Sequence, residues 1–552
     1  MPSDSVDTQA ARWPLRFEPG ERAARKAAGE WPGKTLGEAA RERAQEHGEV
    51  IALVGKTDTL DFATCFERAG NLARGLRELG IEPGDTVSFQ LPNWTEAVIL
   101  NLACAMGGFV INPIIPIYRQ AELAFILADC EAKIVFVPAM LRSIDYQSMY
   151  DALRKALPLL NHVVMVRAPG DLTFEAIEAM GRESSVELPA VIDPDSAKLI
   201  IYTSGTTGLP KGVIYSHNQS RRPIWASMTA WDLSPGDTLL MPSPVTHVTG
   251  YAYGMEMPFY FGTRSVLMER WDAEEAVALT QQHGVGFMIG ATPFLAELLT
   301  EAERLDAPLE TLRIYGCGGA AVPPALIDRA NRHFPNCRAF RVFGSSECPM
   351  VTQGCLDDTD LAAQSDGRVI DWDVKVVDAQ GRTVPSGTEG EILAKGPALF
   401  RGYTDVKATQ EAFDTEGYFR TGDLGTLTSD GVLVITGRKK DIIIRGGENL
   451  SAKEIEDALH THPGIREAAV VSMPHPRLGE GVCAFLIASA TDADPLTVDE
   501  IKVFLNEAGL ARQKSPDRVE YVDELPQTAS GKVQKHILRK TIRDIMQQEQ
   551  AG

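Results

Sequence analysis

The sequence predicts an α/β protein: layered, largely parallel sheets in a large N-terminal domain, a β-barrel-like subdomain after them, and a small α+β domain at the C-terminus. Three observations carry this. Short apolar runs alternate with helical stretches of roughly ten to fifteen residues over most of the chain, as strand–helix–strand units require. From about Lys375 the spacing tightens into strands separated by glycine turns. Near Gly437–Asp441 the pattern changes to a compact αβ alternation that runs to about Ile545. The domains are therefore drawn as residues 1–437 and 441–552.

In chain order, residues 1–34 are polar and charged and read as an irregular lead-in. Helical spacing covers Thr35–His47, a hairpin Ile51–Phe62, and a second helix Cys65–Leu79, ended by Gly80. Pro83-Gly84-Asp85 turns the chain into a strand at Thr86–Leu91. A helix over Asn93–Met106, a strand at Val110–Ile114, a helix over Ala121–Asp129 and a strand at Ile134–Val137 follow. The same alternation resumes with strands at Asp237–Met241 and Ser265–Leu267, a helix over Ala273–His283, and a strand at Gly286–Ile289 leading into Pro293–Glu303. Arg313–Tyr315 is a strand, and Val374–Val377, Glu391–Ala394 and Gly431–Thr436 are the short strands of the β-rich part.

The composition, 44% hydrophobic and 23% charged over 552 residues, is that of a chain able to bury large cores. A net charge of −21 argues against a general nucleic-acid or anionic-membrane binder, whose surfaces are basic. Eight cysteines occur without a C-x-x-C pair, so neither a zinc site nor a disulfide framework is indicated; free thiols in a cytoplasmic setting are expected. The most apolar stretch, Ala97–Pro116, is broken by Asn101, Asn112 and prolines, which suits a buried helix and strand better than a membrane span.

The strongest local signal is Tyr202-Thr-Ser-Gly-Thr-Thr-Gly-Leu-Pro-Lys-Gly212, lying between the apolar runs Leu199–Ile201 and Val213–Tyr215. Its glycines free the backbone to bring N–H groups to an anion, while hydroxyls and Lys211 add donors and charge. A Gly/Ser/Thr cluster is by default a surface turn. A Walker A loop, G-x-x-x-x-G-K-S/T, is excluded, because Pro210 occupies the second glycine position and Gly212 follows the lysine.

This stretch resembles the phosphate loop of the adenylate-forming superfamily, which contains acyl-CoA synthetases, luciferases and peptide-synthetase adenylation domains. Further segments resemble the family's motifs in the family's order: Gly316–Pro324, Arg341-Val-Phe-Gly-Ser-Ser-Glu347, Tyr418-Phe-Arg-Thr-Gly-Asp423, Gly437–Asp441 and Leu525-Pro-Gln-Thr-Ala-Ser-Gly-Lys532. Leu91–Trp94, Gly290–Phe294 and Gly437–Ser451 look most like bacterial short- and medium-chain acyl-CoA synthetases and cyclohexanecarboxylate–CoA ligases.

The resemblance implies a nucleotide site made of Thr203, Ser204, Gly205, Thr206, Thr207, Gly208 and Lys211 at the phosphates, with Gly319, Ala320, Ala321, Phe343 and Gly344 around adenine. Ser346, where threonine is usual, keeps a hydroxyl for phosphate; Asp423 takes the ribose hydroxyls and Arg438 contacts the nucleotide. Glu347 is the implied ligand of Mg²⁺, an ion that takes one or two carboxylates together with phosphate oxygens. Lys532 is the adenylation lysine, and His247 lines the acyl pocket or gates the path of the thiol. The acyl pocket maps to His247, Thr249, Tyr251, Gly290, Ala291 and Gly319; the absence of a carboxylate in His247–Tyr251 speaks against an α-amino acid. Lys440 is the implied hinge of a mobile C-terminal domain, and Gly446 and Gly447 would pass the pantetheine of coenzyme A.

The implied activity is ATP-dependent, AMP-forming ligation of an uncharged, medium-sized fatty or alicyclic acid to coenzyme A. The implied partners are ATP, Mg²⁺, coenzyme A and the acid, with no nucleic acid and no integral membrane association; a homodimer is compatible with this. Alternatives are an enzyme loading an acyl-carrier protein, an aryl-acid CoA ligase, a luciferase-type oxygenase and a catalytically silent binder.

Overall fold

The computed structural model describes residues 12–13, 15–203, 210–320, 322–489, 495–528 and 531–551. Two large sheets form the N-terminal part. In one, strands Arg338–Val342, Ile314–Gly318, Phe287–Gly290, Thr238–Met241, Arg264–Leu267 and Ile51–Val54 run parallel in that spatial order, with Thr59–Asp61 antiparallel at the edge. In the other, Ala197–Thr203, Val110–Pro113, Thr86–Phe89, Ala132–Pro138 and His162–Val166 are parallel, and Lys211–Ser216 pairs antiparallel with Ala197–Thr203. Strands of this kind, covered on both faces, read as continuous apolar runs, which is why the sequence exposes them.

Helix Thr95–Gly107 is buried on nearly every side and packs between helices Phe62–Glu78 and Leu36–His47. The last of these starts on a capping box, Thr35 accepting from the Glu38 N–H while Glu38 accepts from the Thr35 N–H. The lead-in departs from expectation. Glu21–Ala27 form a helix, the Trp31 indole N–H donates to the Pro397 carbonyl at 3.0 Å, and the Arg401 guanidinium lies 5.0 Å and 5.2 Å from the ring centres of Phe17 and Trp31. Two aromatic anchors thus tie the segment to the loop after residue 395.

The β-rich part is a four-stranded antiparallel sheet of Asp373–Val377, Gly390–Lys395, Phe419–Leu427 and Leu433–Arg438. A single 3₁₀ turn, Lys439–Asp441, connects it to a five-stranded sheet that begins at Ile442. There the long hairpin Ile465–His475 and Gly479–Ala488 sends alternate side chains to opposite faces. Ala468 and Val470 meet helices Ala452–Leu459 and Val498–Glu507, while Ala469 and Val471 meet helix Lys535–Ala551. Its two cores contain no residue of the N-terminal cores. Among the described residues, no helix is long and apolar enough to cross a membrane.

Candidate active site

Four neighbouring parallel strands of the seven-stranded sheet deliver one wall of a cavity of about 1960 Å³. At or just beyond their carboxyl ends lie Ser243, Thr246, His247, Val248, Thr249, Gly290, Ala291, Gly319, Ala320, Phe343 and Gly344, all on the cavity wall. Ligands of open α/β sheets bind at such carboxyl ends. Gly319, Ala320, Phe343, Gly344 and Ser346 therefore come together as the sequence implied, and Ala321 lies outside the described residues.

The six-stranded sheet supplies the next wall. Thr203 and Lys211 are direct cross-strand partners at the ends of their strands. Ser204–Gly208, between them in sequence, lie outside the described residues. The Lys211 ammonium sits 5.0 Å from the centre of the Tyr403 ring. Tyr403 in turn donates its hydroxyl to Glu347 Oε1 at 2.9 Å, and Ser345 donates to Glu347 Oε2 at 3.0 Å. Two donors thus fix the carboxylate in place, while burial and that carboxylate push the Tyr403 hydroxyl above its ordinary pKa. Ser345 and Tyr403 escaped sequence reasoning. The first stands two residues from Glu347, a spacing at which serine caps its own turn; the second is 56 residues away, and nothing local marks it.

Asp423 and Arg438 face each other across adjacent antiparallel strands, with Arg438 Nε 2.6 Å from Asp423 Oδ1. Burial raises the Asp423 pKa, and Arg438 and Lys532 oppose that shift. The third wall belongs to the C-terminal part. At Lys532 the Thr528 N–H donates to the Lys532 carbonyl at 2.8 Å, and Gly531 has φ +78°. A Cβ on Gly531 would lie 3.2 Å from Pro293, so a bulkier residue would crowd the point where this loop touches the Ala291–Pro293 wall. Burial, with Arg438 and Lys440 nearby, lowers the Lys532 pKa to about 8. The same burial, with Lys532 adding to it, lowers His247 to about 4, leaving a neutral imidazole at physiological pH.

Thr249, His247, Gly290 and Ala291 line the cavity, as does Lys440. Tyr251, Gly446 and Gly447 do not line this cavity. Tyr251 points away from it: its ring is buried, and its hydroxyl donates to Asn101 Oδ1 at 2.8 Å inside the core. Ala252, Tyr253 and Pro223 take the wall position instead. The cause is a π-helix at Gly250–Glu256, whose wider turn shifts which residues face the cavity; its Met257 N–H reaches back five residues to Ala252. Gly446 and Gly447 form the tip of the hairpin Ile442–Arg445/Glu448–Ser451, with φ +61° and +90°, and are not part of the cavity wall.

Lys211, Arg438 and Lys532 facing Glu347 and Asp423 make a site able to hold a polyphosphate while keeping a carboxylate for a hard cation. Among the described residues, no cluster of three or more His, Cys, Asp or Glu side chains could hold a metal ion. The single carboxylate Glu347, fixed by two donors, fits Mg²⁺ that shares its shell with nucleotide phosphates.

Comparison with known proteins bears on this geometry. The chain is 35% identical over 534 residues to a medium-chain fatty-acid–CoA ligase of Escherichia coli, covering 96% of this chain and 94% of that one. It is 30% identical to 2-hydroxy-7-methoxy-5-methyl-1-naphthoate–CoA ligase of Streptomyces carzinostaticus, over 97% and 98% of the two chains. Among solved structures, ATP-bound MatB from Rhodopseudomonas palustris matches with a TM-score of 0.80 at 28% identity, covering 92% of this chain and 99% of that chain. Residues 40–404 match the AMP-binding enzyme model and residues 454–532 match the AMP-binding enzyme C-terminal domain. The chain belongs to the AMP-binding enzyme family.

Proposed function

We propose that the protein is an AMP-forming acid–coenzyme A ligase acting on an uncharged carboxylic acid of medium size, straight-chain or alicyclic. The observation that carries this is the convergence of Lys532, from the C-terminal part, on a cavity that also holds Glu347, Asp423, Arg438 and Lys211. In the first step an oxygen of the acid attacks the α-phosphorus of ATP, the P–O bond to pyrophosphate breaks, and an acyl-adenylate remains. Lys532 meets the negative charge that builds on the entering carboxylate and the α-phosphate. Lys211 and the phosphate loop hold the β- and γ-phosphates, Asp423 accepts from the ribose hydroxyls, and Phe343 packs on adenine. Glu347 would hold Mg²⁺ together with the phosphates, and the ion would supply neutralisation of phosphate charge. In the second step the sulfur of coenzyme A attacks the acyl carbon, AMP leaves, and the thiol proton passes to solvent.

The acyl chain lies along Ala252, Tyr253, Thr249, Gly290 and Ala291, an uncharged wall that suits an uncharged acid. The hinge is Lys440, within the 3₁₀ turn that separates the last two sheets, and rotation about it brings the Gly446–Gly447 hairpin to the cavity in place of Lys532. The domains on either side are 1–437 and 441–552. Eight free, buried thiols support a reducing cytoplasm as the working compartment. A homodimer is the assembly to test by sedimentation.

The decisive experiment is a panel of acids with ATP, Mg²⁺ and coenzyme A, reading AMP, pyrophosphate and acyl-CoA separately. Equal AMP and acyl-CoA with hexanoate or cyclohexanecarboxylate is the expected result. Faster turnover of a dicarboxylate or an amino acid overturns the substrate class. Pyrophosphate without acyl-CoA points to a carrier protein as acceptor. The aromatic-acid relative makes benzoate and naphthoate necessary members of the panel.

A further inference from the structure

One buried ion pair takes no part in this chemistry. Lys198 and Glu256 are bonded to each other at 1% and 0% exposure, deep beneath the wall that the acyl chain would touch. Lys198 arrives there through a β-bulge: Tyr215 pairs with Leu199 and Ser216 with Ala197, so Lys198 is the extra residue between them. A bulge re-aims a side chain. Here the ammonium is sent inward, within 3.3 Å of Ser220 Oγ and 5.5 Å from the centre of the Tyr251 ring. Glu256 is the last residue of the π-helix Gly250–Glu256. That helix has two sides. Tyr251, bonded to Asn101, and Glu256, bonded to Lys198, fasten it to the core; Ala252 and Tyr253 face the cavity.

Taking two charges out of water is expensive, and an apolar pair of equal volume is often as stable or more so. Stability alone therefore gives no reason for this pair. What it does is connect the strand that leads into the phosphate loop with the far end of the segment that walls the acyl side. We propose that Lys198 and Glu256 are positioning residues for acid specificity: their bond sets the rotation and depth of the π-helix, and through Ala252 and Tyr253 the length of acid accepted. This rests on the assignment of that wall to the acyl chain.

The test compares three folded proteins with the native enzyme on straight-chain acids of four to ten carbons and cyclohexanecarboxylate. Lys198→Met/Glu256→Met removes both charges and keeps volume. Glu256→Asp keeps the charge but withdraws it by one carbon. Ala252→Val alters the wall directly. The expected result for the double variant is at least a fivefold change in the ratio of kcat/KM between short and long acids, carried by the KM for acid, with the KM for ATP within about twofold of native. Glu256→Asp is expected to shift the ratio in the same direction by less.

An unchanged acid ranking in either folded pair variant overturns the proposal. So does a KM for ATP that rises as far as that for acid, which would mean general distortion. Failure of both pair variants to fold would make the bond a requirement of folding and overturn it too. Ala252→Val separates the two levels. If it shifts the ranking and the pair variants do not, only the positioning role falls; if it leaves the ranking untouched, the wall assignment falls and the proposal with it.

Discussion

At the scale of single residues, the proposed chemistry rests on Lys211, Arg438, Lys532, Glu347 and Asp423 of the cavity wall, and each charge can be removed separately. Lys532→Ala should lower adenylation, read as acid-dependent pyrophosphate exchange into ATP, by about 10²–10³-fold, the usual effect of losing one donor aimed at developing charge. A loss under tenfold would remove Lys532 from that role. Its pH dependence follows from its lowered pKa of about 8 in the folded protein. The ammonium is the working form, so kcat/KM for adenylation should be level below pH 8 and fall as pH rises through it; Lys532→Arg should abolish that alkaline limb. His247, neutral above about pH 4, should contribute no limb near pH 6.5. Asp423→Asn removes the charged acceptor opposite Arg438, and hydrogen bonds to charged groups contribute about 1.5–3 kcal/mol. A rise of about 10–100-fold in the KM for ATP, measured with saturating acid, is expected.

At the scale of elements, most strands at the site were legible in the sequence because buried parallel strands are short apolar runs. Phe287–Gly290 and Ile314–Gly318 fall within a residue or two of expectation at their starts. The π-helix was not legible. Gly250–Glu256 contains tyrosines, glycines and a glutamate with no 3.6-residue spacing, and the extra backbone residue per turn is set by packing rather than by pattern. Tyr251 was expected in the pocket from the resemblance alone, and within the π-helix it is found in the core. Helix His217–Ala230 was missed for another reason: Pro223 lies inside it, and proline normally ends a helix. The carboxylate Glu347 was legible as a motif, but Tyr403, which holds it, was not, since a contact across 56 residues leaves no local trace. The π-helix also yields a test. A Cβ on Gly250 would lie 2.1 Å from the Pro244 carbonyl oxygen. Gly250→Ala should therefore destabilise the N-terminal part by about 1–3 kcal/mol, seen as a lower denaturant midpoint with an unchanged slope. An unshifted midpoint would show that the 244–250 turn can relax freely.

At the scale of the whole molecule, the C-terminal cores share no residue with those of the N-terminal part, and the catalytic cavity is walled by both. Separate cores give separate transitions when nothing bridges them. Calorimetry of the free enzyme should show two unfolding steps, and a non-hydrolysable acyl-adenylate analogue, touching both walls, should raise the lower one most. At a hundredfold excess over Kd the ligand contributes about 2.7 kcal/mol. One step at every analogue concentration would contradict independent parts. The same architecture bears on the fate of what is made inside. All eight cysteines are buried; burial pushes Cys130, Cys317, Cys337, Cys348 and Cys483 up to about 12. Among the described residues none of the eight lines the cavity. A mixed anhydride is an acylating agent that attacks the nearest soft nucleophile. Held here it meets no sulfur of the enzyme's own, so its reactive lifetime is preserved for a thiol that enters from outside.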